Sequence, residues 1–325
     1  MLSIIIVSYN TEKILNIALQ KVYAQTDFSN FEVIVVDNAS WDNSCEMVAR
    51  EFPQVKLIRH DKNSGFAAGN NIGIRHASGD YILLLNSDAY VFSDTLRDSV
   101  EFMESNPKTG IMGAQLVCED GSPQPSARQF PSPWKKLKVM TGFEARRPSY
   151  ETYYDYYQAV DGERPEPRKV GWVPGTYFLI RREVIDTIGI LDEQFFMYFE
   201  EVDYCYRATQ ANWDIVFNPC VTVIHLGGQS SLASNKKVSR KGKEIVDIMV
   251  NSEYDYYRKN AGIRVMLLAA GVEIFWKSLI FIKNKIVPGT DAHFKADEAK
   301  QSVGLVWRKM RSELAFSSYT NHTTK

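Results

Sequence analysis

Four short apolar runs rich in β-branched residues, at positions 3–7, 32–36, 55–59 and 81–85, alternate with helical periodicity over 11–24, 44–52 and 69–77. Strands alternating with helices imply a mainly parallel, doubly wound sheet flanked by helices. The expected fold class is therefore α/β. With 325 residues and 45% hydrophobic content, the chain can bury a sizeable core. Its length allows one large α/β domain with additions, or two domains.

The first residues run directly into the first apolar stretch, with no basic n-region and no cleavage site. They read as a core strand rather than a signal peptide. Cys45, Cys118, Cys205 and Cys220 are far apart and make no zinc or CxxC spacing, so a reduced, cytoplasmic protein is expected. A net charge of −1 gives no reason to expect a nucleic-acid partner.

The character changes between Pro123 and Pro167, where prolines cluster and a Tyr-rich stretch occupies 150–157. A functional lid and a surface excursion are both open for this segment. Regular structure is expected again over 169–223, followed by helices over 245–259 and 265–282. The second helix is apolar except for Ser278 and the pair Glu273 and Lys277, spaced i,i+4. It is marginal for a membrane span, which needs about 20 apolar residues. An interfacial helix is expected, with Phe275 and Trp276 inserted and Lys283 and Lys285 at its flank. Packing on the rest of the chain or on another subunit is the alternative. Beyond residue 288 a polar, loosely ordered tail is expected.

Polar residues cap the apolar runs. The first ends in Val7, Ser8, Tyr9 and Asn10, the second in Asp37, Asn38, Ala39 and Ser40, the fourth in Asn86, Ser87 and Asp88. All three tips fall on the edge where open α/β sheets bind ligands. Oxygen donors there suit Mg²⁺ or Mn²⁺, although a turn often has the same composition. Asp37 can accept from a nucleobase N–H or a ribose hydroxyl, or cap a helix. The glycine-rich segment 63–73 allows close backbone approach, but it is neither a Walker loop nor a G-x-G-x-x-G motif. Farther on, Glu200, Glu201 and Asp203 gather three carboxylates within four residues, flanked by Phe and Tyr. They read as a general base in a partly enclosed site, or as acids favoured by a helix start. His225 ends an apolar run and can complete a metal site.

Taken in order, these motifs, with Gly175 to Arg182 and Gly189 to Glu193, resemble an inverting family 2 glycosyltransferase with the GT-A fold, of the rhamnosyltransferase-like branch. The resemblance covers about residues 1–260. It implies a Rossmann-like catalytic domain over 1–230, with a nucleotide-sugar half (1–118), a variable insertion or lid (119–168) and an acceptor and catalytic half (169–230). A basic loop and amphipathic helices (231–288) and the tail (289–325) would follow.

The resemblance also implies roles. Asp37 would bind the base of the nucleotide, with Val7, Ser8, Tyr9 and Asn10 beside it. Asn63, Gly65, Phe66 and Asn70 would line the nucleotide-sugar pocket, together with Asn86, Ser87 and Asp88. Asn86 and Asp88 occupy the ends of the family's Asp-x-Asp metal motif, and His225 would be a further ligand to Mg²⁺ or Mn²⁺. Glu201 would be the base, with Glu200 before it and Asp203 as second candidate. Trp172 and Gly175 would shape the acceptor side. Two departures stand out: Asn86 replaces an acid, and Glu201 stands where the family commonly has Asp.

The implied donor is dTDP-rhamnose, with UDP-linked hexoses as runner-up. The implied acceptor is a saccharide, carried on a lipid diphosphate, reached at the inner face of a membrane. Lys236, Lys237, Arg240, Lys241 and Lys243 would grip phosphate or anionic lipid heads. A homo-oligomer is left open. A non-catalytic sugar-nucleotide-binding scaffold is the alternative from another class. A nucleotidyltransferase would want a glycine-rich basic loop after the first strand, and residues 8–12 are neither.

Overall fold

Parallel pairing of the first four strands follows from their continuously apolar sequence, since such strands bury both faces. In this computed structural model, which describes residues 1–25, 27–143, 166–227, 243–287, 289 and 291–323, β1 (Leu2–Ser8) lies between β2 (Phe31–Asn38) and β4 (Tyr81–Leu85), and β3 (Lys56–His60) flanks β2. The register pairs Ser8 with Asp37, so the polar tips of β1 and β2 end level. Helices α1 (Glu12–Gln20), α2 (Ser44–Glu51) and α3 (Gly65–His76) connect them. Helix α3 sits close on β1 because glycine faces the strand. A Cβ at Gly69 would lie 2.9 Å from Val7 Cγ1, and one at Gly73 would overlap the Ile5 side chain.

Beyond β4 the sheet reverses. β8 (Tyr177–Arg181) runs antiparallel between β4 and β6 (Thr109–Val117). β9 (Asp214–His225) is parallel to β6, and its end pairs antiparallel with β5 (Ala89–Val91). β7 (Arg168–Lys169) pairs with β9. Among the described residues these nine strands form one mixed sheet, so the parallel half expected from the sequence is joined to an antiparallel one. Arg181 staples the reversal: its guanidinium donates to the carbonyls of Thr109, Met103 and Asn106 and lies over the Tyr81 ring. Helix α4 (Thr95–Ser105) packs beside β6 and β9.

The chain divides into two compact units: Met1–Phe130 with Tyr150–Lys237, and Pro131–Ser149 with Val238–Lys325. The segment expected as one insertion is thus shared between them. The Tyr-rich stretch 150–157 lies outside the described residues, as do Lys236, Lys237, Arg240 and Lys241. Two further helices of the first unit, α6 (Arg182–Ile188) and α7 (Glu200–Gln210), follow β8.

The second unit is helical: α5 (Pro133–Met140), α8 (Lys243–Ala261), α9 (Ile263–Ile286) and α10 (Ala292–Thr323). Residues 292–323, expected as a loose tail, form a helix that buries Ala292, Ala296, Ala299, Leu305 and Val306. Alanine packs closely but carries little hydrophobic signal, which is why the polar composition misled. A second correction concerns Glu273. It is buried and bound by Lys136 (2.5 Å), Tyr254 (2.8 Å) and Ser302 (2.9 Å) rather than by Lys277. The outward face of α9 is its apolar one, with Leu268, Phe275, Leu279, Ile282 and Ile286 exposed at helical spacing. Trp276 is half-buried, so Phe275 alone of the expected pair stands out.

Lys136 also pairs with Glu253 (2.6 Å), so one ammonium offsets the buried Glu273 and the half-buried Glu253. Lys136→Met should therefore destabilise the chain by about 3–5 kcal/mol, read by urea unfolding, with a smaller loss in acid where the carboxylates protonate. An equal loss at all pH values would mean that the charges contribute nothing.

Candidate active site

The ends of β1 and β2 turn sharply. Asn10 (φ 55°) and Ala39 (φ 67°) are left-handed, and the two turns are tied together. Asn10 N–H donates to Ser40 Oγ (2.9 Å), and Trp41 N–H donates to Asn10 Oδ1 (2.8 Å). Ser8 Oγ is engaged with Thr11 Oγ1 (3.0 Å), while Val7 and Tyr9 are half-buried beside it. Asp37 is buried, with Oδ2 accepting from Ser40 N–H (3.1 Å). Its Oδ1 is buried with no hydrogen-bond partner among the described residues. Such an oxygen is costly unless a donor is supplied, and a nucleobase N–H or ribose hydroxyl is the chemistry that fits.

Asn38 stitches this edge to the glycine-rich loop. Its Oδ1 accepts from Ser64 N–H and Oγ–H (both 3.1 Å), and its Nδ2 donates to Asn63 Oδ1 (2.9 Å) and to the Gly65 carbonyl (3.1 Å). Asn63 and Asn38 therefore shape the loop. Gly65 is left-handed (φ 85°), and a Cβ there would overlap the Phe196 carbonyl oxygen. That carbonyl accepts from Phe66 N–H (2.7 Å), so the loop is fastened to the segment leading into α7. Asn70 donates to the Phe66 carbonyl (2.9 Å). A Cβ at Gly175 would sit 3.1 Å from Phe66 Cζ, so the ring closes over that glycine.

At the end of β4, Asn86 N–H donates to the Thr176 carbonyl (3.0 Å), and Ser87 and Asp88 are buried. Ala89 of β5 pairs with His225 of β9, and Leu226 N–H donates to the Asp88 carbonyl (3.1 Å). The ladder thereby brings His225 Nε2 to 3.6 Å from Asp88 Oδ1. Burial pushes the His225 pKa down, opposed by the Asp88 carboxylate, which favours a neutral imidazole. No cluster of three or more His, Cys, Asp or Glu suited to a metal exists among the described residues. A neutral imidazole beside a carboxylate nevertheless suits a cation that takes its remaining ligands from substrate phosphates.

The third component is the start of α7. Tyr198 (φ 69°) and Phe199 (φ 70°) are consecutive left-handed residues, a strained arrangement typical of functional sites. They present Glu200 and Glu201, each with Oε2 buried and without a hydrogen-bond partner among the described residues. Burial raises both pKa values; the Glu201 charge raises Glu200 further, and Arg128 counteracts the rise at Glu201. Glu200 therefore holds its proton more tightly, and Glu201 is the readier base. Asp203, the second candidate, is fully buried and bound to Arg207 Nε (2.9 Å). Arg207 also donates to the Ile188 and Ile190 carbonyls, so Asp203 is tied through it to the turn before α7. Trp172 is largely buried, donating to the Gln129 carbonyl (3.1 Å), and the Arg128 guanidinium lies 5.0 Å over its ring. Trp172 thus supports a cation near Glu201.

Arg128 and Gln124 escaped the sequence reading. Both lie in the proline-rich stretch, where no periodicity marks a side chain's direction. Gln124 Oε1 meets His225 Nδ1 at 2.8 Å.

A nucleotide-suited strand edge joined to a reversed half-sheet defines the GT-A glycosyltransferase fold. Solved structures share it. GalNAc-T7 with UDP, GalNAc and Mn²⁺ matches with a TM-score of 0.55 at 16% identity, over 97% of this chain and 57% of that one. A mannosyltransferase from Pyrobaculum calidifontis, in complex with GDP-Man and Mn²⁺, matches at 0.50 and 16%, over 95% and 86%. The chain belongs to glycosyl transferase family 2, whose profile it matches over residues 3–189. That match contains Asp37, Asp88 and Trp172 and ends before Glu201 and His225.

Among relatives, the N-acetylglucosaminyl-diphospho-decaprenol L-rhamnosyltransferase of Mycobacterium tuberculosis is 29% identical over 206 residues, covering 59% of this chain and 66% of that protein. A low-salt glycan biosynthesis hexosyltransferase of Haloferax volcanii is 27% identical over 228 residues, covering 69% and 66%. The chain thus spans just under two thirds of the length of either relative.

Since folding raises the Glu200 pKa, the folded chain binds that proton more tightly than the unfolded one. The resulting stability is full below the ordinary carboxylate pKa and is lost as pH rises through the raised folded value. Glu200→Gln should therefore gain thermal stability over the parent progressively as the pH rises above the ordinary carboxylate range. A pH-independent difference in melting temperature would contradict this.

Proposed function

We propose that the chain is an inverting glycosyltransferase that transfers a sugar from a nucleotide donor to an acceptor hydroxyl. The observation that carries this reading is the pair of acids at the strained start of α7, each with a buried carboxylate oxygen, in the same unit as the Asp88–His225 pair. Asp37 Oδ1 receives a donor group of the nucleotide. Asp88 and His225 would hold a divalent cation, joined by Asn86 if its amide leaves Thr176, and the cation would supply positive charge to offset the departing diphosphate. Glu201 removes the acceptor's hydroxyl proton at a carboxylate oxygen. The freed oxygen attacks the anomeric carbon from the face opposite the diphosphate, inverting the configuration in one displacement. No enzyme nucleophile is needed. The raised Glu201 pKa makes the base stronger once ionised, and Arg128 keeps the ionised form accessible.

The donor we favour is dTDP-rhamnose, and the acceptor a saccharide on a lipid diphosphate, in the building of a surface polysaccharide. The Mycobacterium relative, named for rhamnosyl transfer to a diphospho-decaprenol-linked sugar, supports both choices. A lipid-linked acceptor calls for contact with a membrane surface. The exposed apolar stripe of α9, with exposed Lys283 and Lys285 at its end, supports peripheral association with anionic lipid. The helix has the length and hydropathy of a candidate span, but only one such helix is present among the described residues.

Calorimetric titration with nucleoside diphosphates and their sugars, with and without Mn²⁺, tests the reading. Metal-dependent preference for dTDP-rhamnose is expected. Preference for UDP-hexoses would keep the class and discard the donor, and no binding would favour a scaffold. Glu201→Gln should lower transfer by at least about 100-fold while leaving donor affinity within a few-fold. Activity that survives in Glu201→Gln removes the residue as base. A Phe275→Asp, Leu279→Asp double variant should reduce co-sedimentation with anionic phosphatidylserine vesicles by about tenfold or more. Unchanged sedimentation would assign that face elsewhere.

A further inference from the structure

We infer that Gln124 is a positioning residue that holds the His225 imidazole in the tautomer whose bare nitrogen faces Asp88. The inference rests on the metal site of the proposed function and deepens it.

The orientation of the Gln124 amide is determined by its surroundings. Its Nε2 lies 2.6 Å from the His225 carbonyl oxygen and 3.2 Å from Cys118 Sγ. The carbonyl only accepts, so the NH₂ end must face it; the reversed amide would set two oxygens against each other. Oε1 is then directed at His225 Nδ1, 2.8 Å away. An amide oxygen only accepts, so Nδ1 must carry the proton. In the neutral ring this leaves the Nε2 lone pair facing Asp88 Oδ1 across 3.6 Å.

The opposite tautomer would be easier for the pair taken alone. An Nε2–H could donate to Asp88 and would put a proton where a cation would bind. Gln124 opposes this, because Nδ1 would then present its lone pair to Oε1. The spacing is imposed by the backbone: the pairing of Ala89 with His225 and the bond from Leu226 N–H to the Asp88 carbonyl fix where the two side chains start. Gln124 is itself anchored, its N–H donating to the Leu116 carbonyl at 2.8 Å. One amide therefore grips both the ring and the backbone carbonyl of the same histidine. It keeps the Nε2 lone pair turned toward the Asp88 carboxylate, on the side where a cation would bind. Outer partners of this kind set ligand tautomer and orientation.

The test reads the tautomer directly. Long-range ¹H–¹⁵N correlation on the histidine-labelled, metal-free full chain resolves its five histidines, with His225→Gln identifying the relevant signal. The Nδ1–H form is expected in the unaltered chain, and a switch toward Nε2–H in Gln124→Leu. Mn²⁺ affinity in the presence of a nucleoside diphosphate, measured by electron paramagnetic resonance, should fall about tenfold or more in Gln124→Leu. Gln124→Glu keeps an oxygen acceptor toward Nδ1, although its second oxygen replaces the donor to the His225 carbonyl, and should keep Nδ1 protonated, which preserves the test if the leucine variant misfolds.

An Nε2–H tautomer in the unaltered chain overturns the inference, as does its appearance in Gln124→Glu. Unchanged Mn²⁺ affinity in Gln124→Leu overturns it while sparing the metal site. Absence of Mn²⁺ binding by the unaltered chain removes the metal site and the inference together.

Discussion

The level ending of the parallel strands is the constraint on which the remaining structure depends. Parallel pairing places Ser8 beside Asp37, so every polar residue that follows β1 and β2 emerges along one line. Glycine on α3 lets that helix lie close against β1, and the Asn38 amide then ties the glycine-rich loop to the same line. A strand slipped by one residue would turn Asp37 toward the opposite face of the sheet. The polar edge is thus a by-product of the hydrophobic register that builds the core.

The reversal beyond β4 brings remote parts of the chain to that edge. β8 fills the gap between β4 and β6, and β9 returns far enough for His225 to pair beside Asp88. The site so formed holds groups that the folded chain alone leaves at a loss. Asp37 Oδ1 and one oxygen each of Glu200 and Glu201 are buried without hydrogen bonds, and Tyr198 and Phe199 are strained. These costs are borne by the surrounding sheet, where Ile4, Ile6, Leu83 and Leu179 are fully buried. Marginally unfavourable groups persist only where the rest of the structure over-determines them.

The helical unit solves a different problem. Its interior is organised by Lys136 between Glu253 and Glu273, with Tyr254 and Ser302 completing the shell of Glu273. Charges buried in this way specify which helix faces inward more than they add stability. Glu273 of α9 is turned inward among Met266, Ala269 and Ala270, while Leu268, Phe275, Leu279, Ile282 and Ile286 are left facing out.

Much of this was legible in the amino-acid sequence. The four parallel strands, the connecting helices and the polar tips follow from local periodicity, which a chain writes residue by residue. The acids on α7 stood out because carboxylates rarely gather among aromatic residues. The reversal at β8 was not legible, since an apolar strand reads alike in either direction. Neither was the helix over 292–323, which packs on alanine. Asp203 and Glu201 look equivalent in sequence, and only the packing of Arg207 against Asp203 separates them. Gln124 and Arg128 carry no pattern at all. Sequence determined which residues line the sheet's edge, because local periodicity sets strand direction and facing. Tertiary structure alone decided which of them meet, because the pairing of Asp88 with His225 and of Gln124 with the imidazole depends on long-range ladders that no local window contains.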